Sequence, residues 1–330
     1  MSLHSDQVHV QNWAGSVAVV LTLAANSNSS PSSPPPIHVM IPRHSFIHIA
    51  LEDAVRRLHQ FAPPTFVGFA GGLRRQEPEA GSLFREEEED DDDNGEQKLK
   101  GEQSSADRKT LSLKKEEENA SYPVCWFEDE DTQTALRWHL FAGVLFDLKQ
   151  QPEIPWRIRL HFTAYPTSQI LPLENDGNVL HQVRSVFKNS LKQAMCLHYG
   201  NSKPALNLTK ESHGKIWDAL RSANYHLYKQ AHTNLPKQSS TRVPVRVLLN
   251  SGAPVQKPCL GSDHSTLAAV LHAAVPEYFD EHGPKDGDES LVEWRVAGLS
   301  KPPLEVPVQN YWVNLSHPDH FLYIIVLTNR

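Results

Sequence analysis

Cysteine is scarce in this chain: its 330 residues include three, Cys125, Cys196 and Cys259. Their odd number and wide spacing argue against a disulfide framework and indicate a reducing compartment, with the cytosol as the default. No two of them are close enough in sequence to form a zinc knuckle, and the 18 histidines show no metal-ligand spacing beside a carboxylate. We therefore expect no metal and no other cofactor.

Long apolar runs are also missing. The longest, 17–25 and 321–327, have the length of strands and are far too short to span a bilayer. The N-terminus lacks a basic stretch followed by an apolar core, so no signal peptide is predicted. Together these absences favour a soluble protein.

No part of the chain carries enough positive charge to indicate a nucleic-acid partner. The net charge is −7, and residues 76–122 alone hold 16 acidic and 7 basic side chains. This stretch contains an unbroken acidic run at 86–93 and hardly any aromatic residues, so it cannot bury enough apolar surface to offset its ordering entropy. We predict a disordered acidic insertion over about 74–120, and a solvated segment is favoured over a binding site for a basic partner.

Strand and helix patterns stand on both sides of this insertion. Residues 155–162, for example, alternate apolar side chains on one face, as in a half-buried strand. The predicted order is a helix over 5–13, strands over 16–24 and 37–43, a helix from an N-cap at Ser45 to about 61, strands over 124–130 and 135–140, a short helix over 142–150, and a strand over 155–162. This order is typical of a β-grasp, the ubiquitin-like fold.

A helical block follows, with helices predicted over 179–199 and near 209–234. In the first helix, apolar residues recur at the spacing of one buried face. They are Val183, Val186, Phe187, Leu191, Ala194 and Met195. Lys188 and Lys192 lie four residues apart and project together from the opposite face, where most lysines serve only as solvated surface.

The strand pattern returns near residue 241. Strands are predicted over 241–250, 253–261, 291–299 and 321–329, with a helix over 266–279 and a short one near 308–312. The chain is therefore predicted to be an α+β protein with two ubiquitin-like β-grasp domains, 1–168 and 239–330, flanking a helix-rich domain at 169–238.

Four tracts resemble the autophagy protein 5 family. They are CWFEDEDTQTALRWHLFAGVLFDL, PWRIRLHF, HGKIWDALRSANYHLYKQ and the C-terminal SHPDHFLYIIV. The family fold is two ubiquitin-like domains around a helix-rich one, in agreement with the element order. None of these tracts is a catalytic motif.

The resemblance implies one residue with a chemical role. In the family, a lysine on the first helix of the helical domain is joined to the C-terminal glycine of the ubiquitin-like autophagy protein 12, and alignment of FKNSLKQAMCLHY places this acceptor at Lys192 and not at Lys188. The resemblance further implies a non-catalytic, E3-like scaffold. Its conjugate would bind autophagy protein 16, stimulate lipidation of autophagy protein 8, and lie in the cytoplasm and peripherally at the preautophagosomal structure membrane.

Two other functions stay open on the sequence. Cys196, one turn beyond Lys192, or Cys125 could serve a cysteine-dependent conjugase or hydrolase. For Cys196, its apolar neighbours and the lack of a base favour a buried structural cysteine. The second alternative is an interaction module of ubiquitin-like domains that is never covalently modified.

Overall fold

The computed structural model describes residues 3–63, 122–173, 178–232, 242–250, 265–285 and 292–328. The acidic insertion predicted over 74–120, the strand predicted over 253–261 and Cys259 all lie outside these residues. The boundaries after residues 168 and 238 stay predictions.

The N-terminal part is built on a sheet of five strands. Its strands are β1 (Ser16–Leu23), β2 (Ile37–Pro42), β3 (Trp126–Asp129), β4 (Thr134–Ala135) and β5 (Trp156–His161). Their order is β2-β1-β5-β3-β4, with β1 and β5 parallel and the other neighbours antiparallel. The helices of this part are α1 (Leu3–Ala14), α2 (Ile47–Ala50), α3 (Glu52–His59) and α4 (Ala142–Asp147). The predicted β-grasp is confirmed.

Side-chain alternation explains why these strands form a sheet with one dry face. Every second residue of β1 is buried, and Trp156, Ile158 and Leu160 of β5 are fully buried. The parallel register sets Leu21 beside Ile158 in the centre of the sheet. The β-branched residues of β1 suit this half-buried pleated surface.

The helical block consists of α5 (Val179–Tyr199), α6 (Lys203–Leu206), α7 (Lys210–Arg221) and α8 (Tyr225–His232). The bounds predicted for the first helix, 179–199, are confirmed. Within the described ranges, no helix is long and apolar enough to cross a membrane.

The C-terminal part has a second sheet of four described strands, β6 (Val245–Leu249), β7 (Val292–Val296), β8 (Leu299–Ser300) and β9 (Leu322–Thr328). They lie in the order β6-β9-β7-β8, with β6 and β9 parallel. Among the described strands, this order matches that of β1, β5, β3 and β4 in the first sheet. The described helices of this second β-grasp are α9 (Leu267–Ala274) and α10 (Val308–Leu315).

Strand β9 is buried on both faces, which accounts for its unbroken apolar sequence. One face, including Ile324 and Val326, packs in the core of its own domain. The other, including Tyr323 and Ile325, joins the core that fills the N-terminal and helical parts. The closing strand therefore ties the second sheet to the rest of the molecule.

Arginine contacts fix the two sheets to each other. Arg295 of β7 donates hydrogen bonds to the carbonyl oxygens of Asp147 (2.8 Å) and Lys149 (2.7 Å) at the end of α4. There a positive charge meets the negative end of the helix dipole. Arg43 pairs with the Asp147 carboxylate, and its guanidinium lies against Gly298. Burial raises the pKa of Asp147, and the charge of Arg43 opposes that rise.

Several predicted elements were wrong in extent. Of the strand predicted over 135–140, only Ala135 lies in β4. Residues 136–140 are irregular, with a turn at 138–139, although their apolar side chains are buried. The helix after β2 has Phe46 at its N-cap with no side-chain cap, so Ser45 does not cap it, and it breaks at Leu51.

The second helix of the block is also two helices, because Ser222 ends α7 and Ala223 has a φ of +50°. In the C-terminal part, α9 ends at Ala274 and not at residue 279, and the strand predicted over 241–250 begins at Val245. The strand predicted over 291–299 is divided into β7 and β8 by a turn.

Candidate modification site on the long helix

The sequence sets both ends of helix α5. The Asn178 side chain accepts a hydrogen bond from the backbone N–H of His181 at 3.0 Å, which satisfies one of the open donors of the first turn. At the other end Gly200 has a φ of +75°, a left-handed conformation that glycine adopts without strain. A single continuous helix of 21 residues results.

The buried face of α5 packs against the N-terminal sheet domain and the neighbouring helix. Phe187 lies at its centre, with ring centroids 6.3 Å from Phe46 and 6.1 Å from Trp217. Val183 and Leu191, one turn to either side, are also fully buried. Burying each such side chain contributes roughly 1.5–3 kcal/mol, so the helix is held rigidly against the domain.

A polar network joins the C-terminal half of α5 to the second sheet. Ser190 donates to the carboxylate of Asp319, which also accepts from the Tyr323 hydroxyl at 2.8 Å. Arg246 donates to Ser190 at 2.7 Å and to Tyr323 at 2.9 Å, and it bonds Gln193 through its other terminal nitrogen. The helix thus has fixed contacts to all three parts of the molecule.

Burial dominates the electrostatics of this network. It raises the pKa of Asp319, while the positive charge of Arg246 acts in the opposite direction. The guanidinium carbon of Arg246 also lies 3.7 Å from the centre of the Phe321 ring. The Asp319 carboxylate is therefore shielded from water, and the loss of one of its hydrogen-bond donors would destabilise the fold.

The two candidate lysines project from the other side of α5. Lys188 is exposed and Lys192 is half-buried, and neither forms a salt bridge or hydrogen bond within the part of the chain that the structure describes. Burial, followed by the charges of Arg184 and Lys192, lowers the pKa of Lys188. Both amines are thus available to a reagent in solution. The choice of Lys192 over Lys188 rests on the resemblance.

The prediction that Cys196 is a buried structural residue was wrong: it is exposed. The reason is helical spacing. Ala194 and Met195 face the core, and Cys196 lies one turn after Lys192 on the polar face. Its apolar neighbours in the sequence lie on other faces of the helix and do not cover it.

Cys125 is buried, and its thiol is poorly nucleophilic. Burial raises the pKa of its thiol to about 12, and Sγ lies 3.8 Å from the Tyr122 hydroxyl and 3.9 Å from His48 Nδ1. A thiol in this state is neutral near pH 7, and the thiolate is the nucleophilic form. Cys125 is therefore unsuited to a conjugase mechanism.

Sequence reasoning missed the residues that hold α5 in place. Arg246 and Asp319 look like ordinary surface charges in the sequence, yet Asp319 is 1% exposed. Arg295 lies in the buried stretch VEWRV. A charged residue at a predicted core position was the feature of the sequence that could have identified it as a structural contact. No three histidine, cysteine, aspartate or glutamate side chains are grouped as a metal would need, among the residues with described positions.

Three family models match this chain in succession. They are described as Autophagy protein ATG5, UblA domain (residues 105–162), alpha-helical bundle region (180–237) and UblB domain (242–326). The matches follow the order of the two sheets and the helical block.

Relatives and a solved structure agree with these models. The chain is 27% identical over 232 residues to autophagy protein 5 of Debaryomyces hansenii, covering 65% of this chain and 78% of the relative. It is 32% identical over 111 residues to autophagy protein 5 of Oryza sativa subsp. indica, covering 33% of this chain and 28% of that relative. The crystal structure of Kluyveromyces marxianus Atg5 superposes with a TM-score of 0.66 over 97% of this chain and 99% of that one. At 18% identity, this likeness shows the fold alone.

Proposed function

The chain belongs to the autophagy protein 5 family, and from this membership we propose that Lys192 is joined by an isopeptide bond to the ubiquitin-like autophagy protein 12. The family acts in autophagy and is generally a scaffold component. One observation carries the proposal: the Lys192 amine forms no salt bridge or hydrogen bond with any described residue, and it projects from a helix that contacts all three parts of the molecule.

The proposed step is an acyl transfer. The neutral Nζ of Lys192 attacks the carbonyl carbon of a thioester that links the C-terminal glycine of the donor to a cysteine of the conjugating enzyme. The C–N bond forms, the C–S bond breaks, the enzyme thiolate leaves, and the nitrogen loses a proton. The scaffold contributes the position of the amine, and a fixed position can lower the barrier without a catalytic group of its own.

The conjugate is proposed to act as an E3-like assembly. It would bind autophagy protein 16 without a covalent bond and stimulate transfer of autophagy protein 8 to phosphatidylethanolamine. Contact with the preautophagosomal structure membrane would be peripheral, and the remaining protein would be cytoplasmic. Contacts between the three parts support this role: Arg43 and Arg295 join the two ubiquitin-like sheets, and Arg246 joins the second sheet to Ser190 of the helical block, so a partner can bind across all three.

Reconstitution with autophagy protein 12 and its activating and conjugating enzymes tests the acceptor. Wild type should give a heavier species that resists reducing agent. Lys192→Arg should give none, since arginine keeps the charge but is never a neutral amine near pH 7. Lys188→Arg is the matched control and should react like wild type. Conjugate formation by Lys192→Arg, with loss in Lys188→Arg, would move the acceptor one turn along the helix.

The exposure of Cys196 keeps a thiol-dependent function testable in the same assay. A scaffold predicts that Cys196→Ser forms the conjugate and supports lipidation at the wild-type rate. Normal conjugation with lost lipidation activity would favour the enzyme. Failure of wild type to conjugate with active enzymes would favour the unmodified interaction module.

A further inference from the structure

Lys192 lies within a group of four positive charges, which we name the cationic surface: Arg184, Lys188, Lys192 and Lys210. The first three stand on successive turns of α5, four residues apart, so they form one stripe along the helix. Lys210 is the first residue of α7, where the positive end of the helix dipole adds to its charge.

Lys188 lies within the electrostatic field of the other three groups. The pKa of Lys188 is lowered by burial first and then by the charges of Arg184, Lys192 and Lys210. His213 of α7 is affected in the same way: burial lowers its pKa, and Lys188, Lys192 and Arg184 lower it further, against a hydrogen bond with the Ala205 backbone. The positive charges of α5 therefore act on α7, which packs beside α5 with Trp217 against Phe187.

Within the described ranges, none of the four cations of the cationic surface forms a salt bridge. The nearest acidic side chain in sequence, Glu211, is engaged by Lys215. Arg184 is held in place, since its guanidinium lies 5.7 Å from the centre of the Trp217 ring. Clustered like charges destabilise the free protein slightly, so the arrangement suits a surface that meets negative charge in a complex.

We propose that the cationic surface docks an acidic face of the enzyme that delivers the thioester-linked donor to Lys192. This inference rests on the proposed function of Lys192. Arg184, Lys188 and Lys210 act as positioning residues that speed the encounter and orient it, and the chemical step remains with Lys192. A field of one sign raises association rates and does so most at low ionic strength.

The placement of Lys192 inside the surface favours this occupant over an anionic membrane. Whatever covers the cationic surface also covers the Lys192 amine. The delivering enzyme must approach that amine, and the transfer needs no membrane there. After transfer the nitrogen is an uncharged amide, which weakens the attraction for an acidic face and favours release of the spent enzyme.

The test compares two double variants of the full chain. Lys188→Gln with Lys210→Gln removes two charges from the cationic surface. Arg57→Gln with Lys285→Gln removes two exposed charges elsewhere, both outside any described salt bridge. The initial rate of conjugation is measured against the concentration of donor-charged enzyme, at low and at high salt. Lys188→Arg with Lys210→Arg is the charge-preserving rescue.

We expect the first Gln pair to raise the half-saturating enzyme concentration about 3- to 10-fold at low salt and to leave the saturated rate unchanged. The difference should shrink at high salt, while the control pair and the Arg pair should behave like wild type. Unchanged half-saturation in the first Gln pair, with wild type still conjugated at Lys192, would overturn the docking inference alone.

Two other outcomes are equally decisive. Loss of the conjugate from both the Gln and the Arg pair would place the acceptor at Lys188 or Lys210 and would overturn the proposed assignment of Lys192. Unchanged transfer, with weaker sedimentation of the first Gln pair by phosphatidylcholine–phosphatidylserine vesicles, would overturn the inference by assigning the surface to anionic lipid.

Discussion

Two glycines illustrate how the surroundings of a backbone position decide the effect of a single methyl group. Gly143 is in α4, where an added Cβ would lie 2.8 Å from Arg43 Cβ and 3.0 Å from the Arg43 carbonyl oxygen. Gly214 is in α7, where an added Cβ would meet nothing within 4 Å.

We predict opposite results for alanine at these two positions. Gly143→Ala should lower the free energy of unfolding by about 1–3 kcal/mol, because the helix must move away from Arg43. Gly214→Ala should raise it by roughly 0.5–1 kcal/mol, since alanine restricts the unfolded chain and favours the helix. Urea unfolding of both variants measures these changes in the free energy of unfolding. A stabilised Gly143→Ala protein would show that α4 is not packed against Arg43 as described.

Asp319 controls the attachment of α5 to the second sheet. Asp319→Ala removes the acceptor shared by Ser190, Tyr323 and Arg246, and it should cost about 3 kcal/mol because buried donors lose their partner. Tyr323→Phe removes a single hydroxyl and should cost about 1 kcal/mol. Chemical denaturation gives both values. The exposed Asp218, replaced by alanine, should change stability by less than about 0.5 kcal/mol.

Amide hydrogen exchange locates the effect along the chain. In Asp319→Ala, exchange should accelerate in the C-terminal half of α5 more than in α7, because only α5 bonds the network directly. Uniform acceleration in both helices would mean that the network stabilises the molecule as a whole and does not attach this helix in particular.

The helices and strands with strong periodicity were predictable from the sequence. Helix α5 was predicted with its observed bounds because its apolar residues repeat at helical spacing, and in the structure Gly200 ends it. The bounds of elements whose length depends on tertiary contacts could not be predicted from the sequence. The stretch 136–141 is apolar enough for a strand, but the chain turns at 138–139. Phe141 then stacks on Phe46, with ring centroids 4.6 Å apart.

For the candidate site, the sequence could predict which face of α5 is polar but could not show which residues of other elements approach it. The position of Lys188 and Lys192 on the same polar face was predictable, because they lie four residues apart in the helix. The contribution of Lys210 to the same surface depends on how α7 packs beside α5, and Ser190 to Asp319 joins residues 129 apart in sequence. Cys196 was misassigned because its neighbours were judged by sequence adjacency and not by helical position.

Buried histidines should make the stability of the protein sensitive to acid. Burial lowers the pKa of His44 and His48 to about 3 from an ordinary value of 6.5, and burial and the neighbouring His44 and Arg43 lower that of His317. Such groups bind protons only when the chain unfolds. Their contribution to stability is complete above about pH 6.5 and is lost as the pH falls toward their folded-state values.

His44→Phe should therefore reduce this sensitivity. Among the described residues, neither ring nitrogen of His44 has a hydrogen-bond partner, so replacing it by phenylalanine removes no hydrogen bond seen there. Between pH 7 and pH 5 the variant should lose about 2 kcal/mol less stability than wild type. Asp147 and Asp319, whose raised pKa values act in the opposite sense, are common to both proteins. Exposed His181→Gln is the control, and an equal pH dependence in wild type and His44→Phe would refute the role of His44.

Mapping the covalent bond tests the central claim most directly. Wild-type protein is conjugated with purified enzymes, digested with trypsin and examined by tandem mass spectrometry. The C-terminal remnant of autophagy protein 12 should lie on Lys192, within a branched peptide that begins at Asn189 because cleavage at the modified lysine is blocked. A remnant on Lys188 or on a lysine away from α5 would contradict the assignment.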